Sequence, residues 1–353
     1  MVNYSPAKIL EYIRDGLVEE EHWGLFVKVS TDGNICKVGD DKNYPFYLRS
    51  CAKPLQAALI IDFGIDEVFN MTSEEIALCC ASHAGEDCHA KIVKGFLAKI
   101  GFDESYMKCG FHKPLSKSER NKLIAQGQDE NILQNNCSGK HAMMLAICKK
   151  MGWAIDDYDS PEHPLQIAIK KKIYELCELK TDYLATKDGC GVPIYSMPLE
   201  NMVKGYLNLF LNEKYSKIRE AFLKHPYLIG GEDRFDTAIM IARHEDAKCK
   251  VQRAKGFKNS FSLFPFSFSP LVVKSGAGGI CIVVNLNKKE GFVIKIMDSD
   301  MKTRAICTIE ALKQLGWLNS EMLENDLIKA QNKTDILTLH GEKIGKAIPC
   351  FKF

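Results

Sequence analysis

The chain lacks any strong excess of charge, with a formal net charge of +2 on 353 residues. Composition therefore gives no push towards nucleic acid or a membrane surface. No apolar run approaches membrane-spanning length. The stretch from Met1 to Glu20 is mixed and acidic rather than a charged end followed by an apolar core, so no secretory signal is expected. There is no C-x-x-C pair, which excludes a zinc-finger type of site. Internal repeats, low-complexity tracts and a clear linker are missing too.

What is present is ordinary for a soluble globular protein: 46% hydrophobic and 26% charged residues, in a chain long enough for one large domain or two of usual size. The 14 cysteines sit largely in apolar segments such as Leu78-Cys79-Cys80, Ile147-Cys148 and Ile280-Cys281. With no signal peptide, most read as reduced, buried small hydrophobes in a cytoplasmic protein.

Local patterns outline the elements. Leu25 to Val29 and Ile35 to Val38 flank Asp32-Gly33, the signal of a β-hairpin. Thr72 with Glu75 predicts a capping box opening a helix. Residues 89–100 and the apolar stretch after residue 141 read as helices stopped by Gly101 and Gly152. Helical patterns recur at 163–179, 198–211, 215–224 and 302–315, while Lys113 to Asn121 reads as a basic surface loop. Gly230 to Thr237 reads as a loop capping a helix through Asp236 or Thr237. Strands are expected at Leu271–Lys274, Ile280–Leu286, Phe292–Met297 and Ile336–Leu339. Strands towards both ends with helices between predict an α+β fold, an antiparallel sheet with a helical cluster, as one domain over 1–353. Residues 244–270 turn from basic to aromatic. They read as an insertion with aromatics packed on the body, or as a flap over a site or a dimer contact.

Chemistry concentrates in a few polar stretches. Ser50 and Lys53 stand three residues apart at a helix start, on one face and within side-chain reach. A buried lysine of lowered pKa can take the proton of a serine nucleophile. Ser82 lies in a polar turn after a helix, and Lys274-Ser275-Gly276 ends a strand. Taken singly, Ser82 suits a helix C-terminal hydrogen bond and Lys274 a strand-end surface lysine. In this order the three fragments resemble the layout of the penicillin-recognising serine hydrolases: S-x-x-K, a serine turn, then K-[ST]-G on a strand. Backbone N–H groups after Lys274 and at Ser50 could form an oxyanion hole.

A second set is Cys137, Lys140, His141 and Cys190. Both cysteines are flanked by glycine and polar residues, unlike the others. Two soft sulfurs and a nitrogen suit Zn²⁺, although two unrelated cysteines would look the same by spacing alone. Lys140 as a ligand would have to be neutral, which a metal could enforce.

Arg49-Ser50-Cys51-Ala52-Lys53-Pro54-Leu55-Gln56, Ser82-His83-Ala84-Gly85-Glu86, Asn136-Cys137-Ser138-Gly139-Lys140-His141 and Asp188-Gly189-Cys190-Gly191-Val192-Pro193 together resemble the Rhizobium etli-type L-asparaginase II family. Gly231 to Thr237 and Val273 to Ala277 continue the match, over roughly residues 9–345. The resemblance implies a β-lactamase-like fold and a homodimeric amidohydrolase releasing ammonia from L-asparagine. It implies serine–lysine pairs at Ser50 with Lys53 and at Ser82 with Lys274. It implies Zn²⁺ on Cys137, Lys140 and Cys190, supporting substrate binding more than bond breaking. Arg49, Asp188, Gly276 and Ala277 are the expected substrate-binding residues, with Arg49 and Lys274 the candidate cations for the substrate's α-carboxylate. Lys274 to Gly279 reads Lys-Ser-Gly-Ala-Gly-Gly where the family pattern is Lys-Gly-Gly-Ala-Glu-Gly, so Ser275 and Gly278 depart from it. A glutaminase, a β-lactam or peptide hydrolase, and a non-catalytic zinc-stabilised protein are the competing expectations. Asparaginases with threonine nucleophiles are disfavoured, because no Thr-Gly-Gly-Thr stands near the N-terminus and no Gly-Thr processing site occurs.

Overall fold

β-Branched and aromatic residues recur through the strand segments, which assemble mainly into one sheet. The structure, a computed structural model, describes residues 4–241 and 270–353. The strands are β1 (Ala7–Arg14), β2 (Leu17–Ser30), β3 (Ile35–Val38), β4 (Phe46–Tyr47), β5 (Ala185–Lys187), β6 (Pro193–Met197), β7 (Leu271–Gly276), β8 (Ile280–Asn285), β9 (Glu290–Ile296), β10 (Asp335–Leu337) and β11 (Lys343–Pro349). The main sheet has eight strands in the order β10-β11-β1-β2-β9-β8-β7, with β3 paired to β2. Its recorded pairings are antiparallel. The predicted hairpin is there, with Val29 opposite Ile35 and Phe26 opposite Val38. The N- and C-terminal strands meet side by side, since Leu10 pairs with Pro349. The fold is therefore α+β, with the helical cluster supplied by the middle of the chain.

One face of the cluster is built on the helix Ala52–Asp62. Every residue from Ala52 to Ile60 is buried, so this helix is apolar almost all round and passes through the core. Full burial of a side chain such as Leu55 contributes about 1.5–3 kcal/mol. A second buried helix, Ser138–Met151, lies against the helix Ser73–Cys80. That approach depends on Gly139, where an added Cβ would fall 2.3 Å from Leu78 O. The Thr72–Glu75 capping box forms as expected.

Two sequence expectations change. Lys113 to Asn121 is loop only at its start. A helix begins at Lys117, with Ser116 Oγ accepting from Glu119 N, and ends at Gly127 in the left-handed region. Its exposed, polar face carries no apolar stripe, so no periodicity announced it. Asp236 and Thr237 do not cap a helix but lie inside the helix Phe235–Ile241. Thr237 Oγ1 instead accepts from Gly231 N and donates to Pro226 O. Strands β5, β6 and β11 had no distinct signal in the chain. Apart from Pro270, the 244–270 stretch lies outside the described residues. Among the described residues no helix is long and apolar enough to cross a membrane, and no disulfide forms.

Candidate active site

The turn Arg49–Cys51 is a single 3₁₀ turn leading into the buried helix. Arg49 has φ +50, a left-handed conformation unusual for a side-chain-bearing residue and typical of functional turns. Its Nε donates to Asp188 Oδ1 at 2.9 Å. Ser50 is half-buried, and its hydroxyl has no hydrogen-bond partner among the described residues.

Lys53 is 1% exposed, and its Nζ donates to Ser82 Oγ at 3.0 Å and to Asn136 O at 2.9 Å. No hydrogen bond joins Lys53 to Ser50. Burial pulls the Lys53 amine below the ordinary lysine range; the charge of Cys137 opposes that shift, and Lys140 and Lys274 reinforce it. Ser82 follows the helix Ser73–Cys80, where its N–H donates to Ile229 O. Its hydroxyl serves Lys53 rather than the helix end.

Lys274 is fully buried, not a surface lysine. Its Nζ donates to Ser275 O at 2.7 Å and stands 3.5 Å from Asp236 Oδ2. No hydrogen bond joins it to Ser82. The strand end carrying Lys274 is tied to the Ser50 turn, because Cys51 Sγ donates to Lys274 O. A Cβ on Gly276 would lie 3.2 Å from both Cys51 Sγ and Leu48 O, so glycine permits this approach. Ala277 beyond it is exposed. The Ser275 hydroxyl turns to Cys281 Sγ on β8.

The tight turn between β5 and β6 closes through Asp188 N to Val192 O and Gly191 N to Asp188 O. It brings Cys190 to the start of the helix Ser138–Met151. Lys140 Nζ donates to Cys190 Sγ at 2.8 Å, and Cys137 and Cys190 share a hydrogen bond. All three side chains are buried. That shared bond, with Lys53 and Lys140 nearby, holds the Cys137 thiol well below its usual value against the effect of burial. The same contact, with burial, pushes Cys190 up. Burial opposes the charge on Asp188, yet Lys140 and Arg49 hold its carboxyl below the usual range. His141, adjacent to Lys140, turns away and pairs with Tyr158 OH. Two sulfurs and an amine in contact are a donor set that suits zinc, with the amine deprotonated in exchange for the metal.

Another trio, Glu86, Cys88 and His89, has metal-type atoms within 4.8 Å of one another. Its donors are already used. His89 Nδ1 accepts from Glu86 N and its Nε2 meets Tyr227 O, while Glu86 holds Tyr227 OH and Glu232 N. It reads as a structural junction.

The sequence residues thus gather in two adjoining groups: Ser50, Lys53, Ser82 and Lys274 on one side, and Arg49, Asp188, Cys137, Lys140 and Cys190 on the other. Lys53 links them, through Ser82 on one side and the charge of Cys137 on the other. Comparison with known families matches the L-asparaginase II profile to residues 10–256 and 263–349. The chain belongs to the L-asparaginase II family. Membership makes it an asparaginase-type amidohydrolase with a small-molecule substrate. No curated protein matches the chain.

Three residues near this asparaginase II site escaped sequence reasoning. Asn136 supplies the carbonyl that holds Lys53. Asp236 sits 4% exposed, accepts from Ser275 N at 3.0 Å through Oδ2, and compensates Lys274. Arg304 donates to Gly276 O at 3.0 Å. Asp236 stood in a polar stretch that offered a capping role, and Arg304 looked like one charge on an amphipathic helix, so no local signal marked either.

Proposed function

We propose that this chain hydrolyses the side-chain amide of L-asparagine to L-aspartate and ammonia through a serine–lysine acyl-enzyme. The observation that carries the reading is the buried Lys53–Ser82 hydrogen bond beside a Ser50 hydroxyl that has no hydrogen-bond partner among the described residues. Ser50 Oγ attacks the amide carbon and its proton passes to Lys53, with Ser82 as the relay between amine and reacting group. The C–N bond breaks as the leaving nitrogen takes a proton back along the same path, and ammonia departs. Water then attacks the Ser50 ester, giving its proton to Lys53; the ester C–O bond breaks as Ser50 Oγ takes that proton back, and L-aspartate leaves. Lys274, held by Asp236, keeps positive charge near Lys53 and favours the neutral amine.

Zn²⁺ would be held by Cys137, Lys140 and Cys190, and would supply a fixed positive charge for orienting the substrate's polar groups. Asp188, fixed by Arg49, faces the same region and suits the substrate's ammonium group. We also propose a homodimer, which the resemblance implies, and a reducing cytoplasm, in keeping with the free cysteines among the described residues.

The test is ammonia release from L-asparagine, L-glutamine and β-aspartyl dipeptides by the wild type and by Ser50→Ala. One methylene separates asparagine from glutamine, worth about 1–3 kcal/mol of discrimination. Faster release from asparagine, abolished in Ser50→Ala, is the expected result. Full release by Ser50→Ala sinks the nucleophile. Covalent labelling of Ser50 by a penicillin without amide turnover points to the peptide or β-lactam branch instead.

A further inference from the structure

At the end of β7, which is the last strand of the sheet among the described residues, three cations gather around one carboxylate. Lys274 and Asp236 form the ion pair already described. Arg304, from the helix Met301–Gln314, is 5% exposed; its Nη1 donates to Gly276 O, and its buried Nε has no hydrogen-bond partner among the described residues. Arg234 is half-buried, just ahead of the helix Phe235–Ile241. It makes no hydrogen bond or ion pair with the described residues, although it lies in electrostatic reach of Asp236 and Arg304. Asp236 makes no hydrogen bond to either arginine: its oxygens accept from Ser275 N, and Oδ2 faces Lys274.

An enclosed guanidinium without an acceptor is unfavourable unless something else supplies the negative charge. The planar fork of arginine matches a carboxylate, which it can bind through two parallel hydrogen bonds. The other cations near the catalytic group are committed: Arg49 to Asp188, and Lys274 to Ser275 O and Asp236. The place is also apt. Arg304 holds Gly276 O, an added Cβ on Gly276 would lie 3.2 Å from Cys51 Sγ and Leu48 O beside Ser50, and the neighbouring Ala277 is exposed.

We propose that Arg234, backed by Arg304, is a binding residue for a small carboxylate, namely the α-carboxylate of the amino-acid substrate. This rests on the asparagine reading above and adds a residue to it. Arg304 is the positioning residue, holding the strand end and raising the positive potential. Arg234 is the group that meets the ligand.

The test is calorimetric titration in the non-turning-over Ser50→Ala protein, with and without Arg234→Gln. Three probes are used: L-asparagine, L-asparaginamide, which lacks the α-carboxylate charge, and succinate. L-Asparagine is expected to bind Ser50→Ala, and adding Arg234→Gln to weaken it about ten-fold or more, while L-asparaginamide changes less than about two-fold. Arg234→Lys, which keeps the charge but loses the fork, should fall between. Unchanged asparagine binding overturns the proposal, and so does an equal loss for asparagine and asparaginamide, which would mark a structural role. Arg234-dependent binding of succinate without asparagine binding keeps the anion site and removes the asparagine reading. Binding of neither removes the site.

Discussion

Lys53 and Ser82, 29 residues apart in sequence, meet at 3.0 Å in a buried hydrogen bond. The lysine that sequence spacing pairs with Ser50 therefore has its nearest hydroxyl partner in a different loop. Proton traffic between Ser50 and Lys53 then needs Ser82, and removing that hydroxyl should cut turnover without removing the nucleophile. Ser82→Ala is expected to lower kcat for ammonia release by about 10²–10⁴-fold, the range for a lost general acid–base element. Its thermal midpoint should stay near that of the wild type. A kcat within a few-fold of wild type contradicts the relay.

The sulfur–amine group should behave as a metal site in solution. The purified chain is expected to carry about one zinc per protomer. Cys190→Ala should bring metal content close to zero and raise KM for L-asparagine more than it lowers kcat. Chelation of the wild type should lower the melting temperature, because metal binding is coupled to folding. Metal analysis that finds the same zinc content in both proteins removes this assignment.

Gly139 is a packing requirement with a functional consequence. A methyl group there would meet Leu78 O at 2.3 Å and drive apart the helix that carries Lys140 and the helix Ser73–Cys80 that leads to Ser82. Gly139→Ala is expected to destabilise the fold by about 1–3 kcal/mol, the usual range for overpacking. Urea unfolding measures it, and a loss below about 0.5 kcal/mol would show that the contact relaxes easily.

His89 is buried and kept neutral. Burial pushes it from 6.5 to about 4, only partly opposed by its bond to Tyr227 O. The folded value lies below the unfolded one, so the unfolded chain binds the extra proton between them. The contribution is complete above about pH 6.5 and is lost as pH falls towards 4, at about 1.4 kcal/mol for each unit. Stability of the wild type measured from pH 7 to 4.5 should fall more steeply than that of His89→Gln. Parallel curves would show that His89 does not titrate in this way.

The Thr72 cap gives a simpler check. Thr72 Oγ1 accepts from Glu75 N, and Glu75 Oε2 accepts from Thr72 N. Thr72→Ala is expected to cost about 1 kcal/mol in urea unfolding. No change would mean that the frayed turn is satisfied by solvent.

That cap was legible because both partners are three residues apart and the chemistry is local. The same holds for the hairpin around Asp32-Gly33, and for the helices stopped by Gly101, Gly152 and Gly316, all three with positive φ. The Lys117–Gln126 helix escaped because an exposed polar helix buries too little apolar surface to leave a period. Strand β11 escaped because its partner β1 lies at the far end of the chain, and pairing at that distance leaves no local mark.

By itself the sequence determined the residue types and their order: Ser50 with Lys53, Ser82, the two cysteine loops and Lys274. Those types limit the chemistry, since only a few side chains can attack, take a proton or bind a soft metal. Only the tertiary structure decided the pairings. It gave Lys53 to Ser82, Asp188 to Arg49 and Asp236 to Lys274, and left Arg234 without an acceptor among the described residues. The physical reason is reach. A side chain bonds whatever packing brings within about 3 Å, and packing is settled by the sheet and the buried helices rather than by neighbours in sequence.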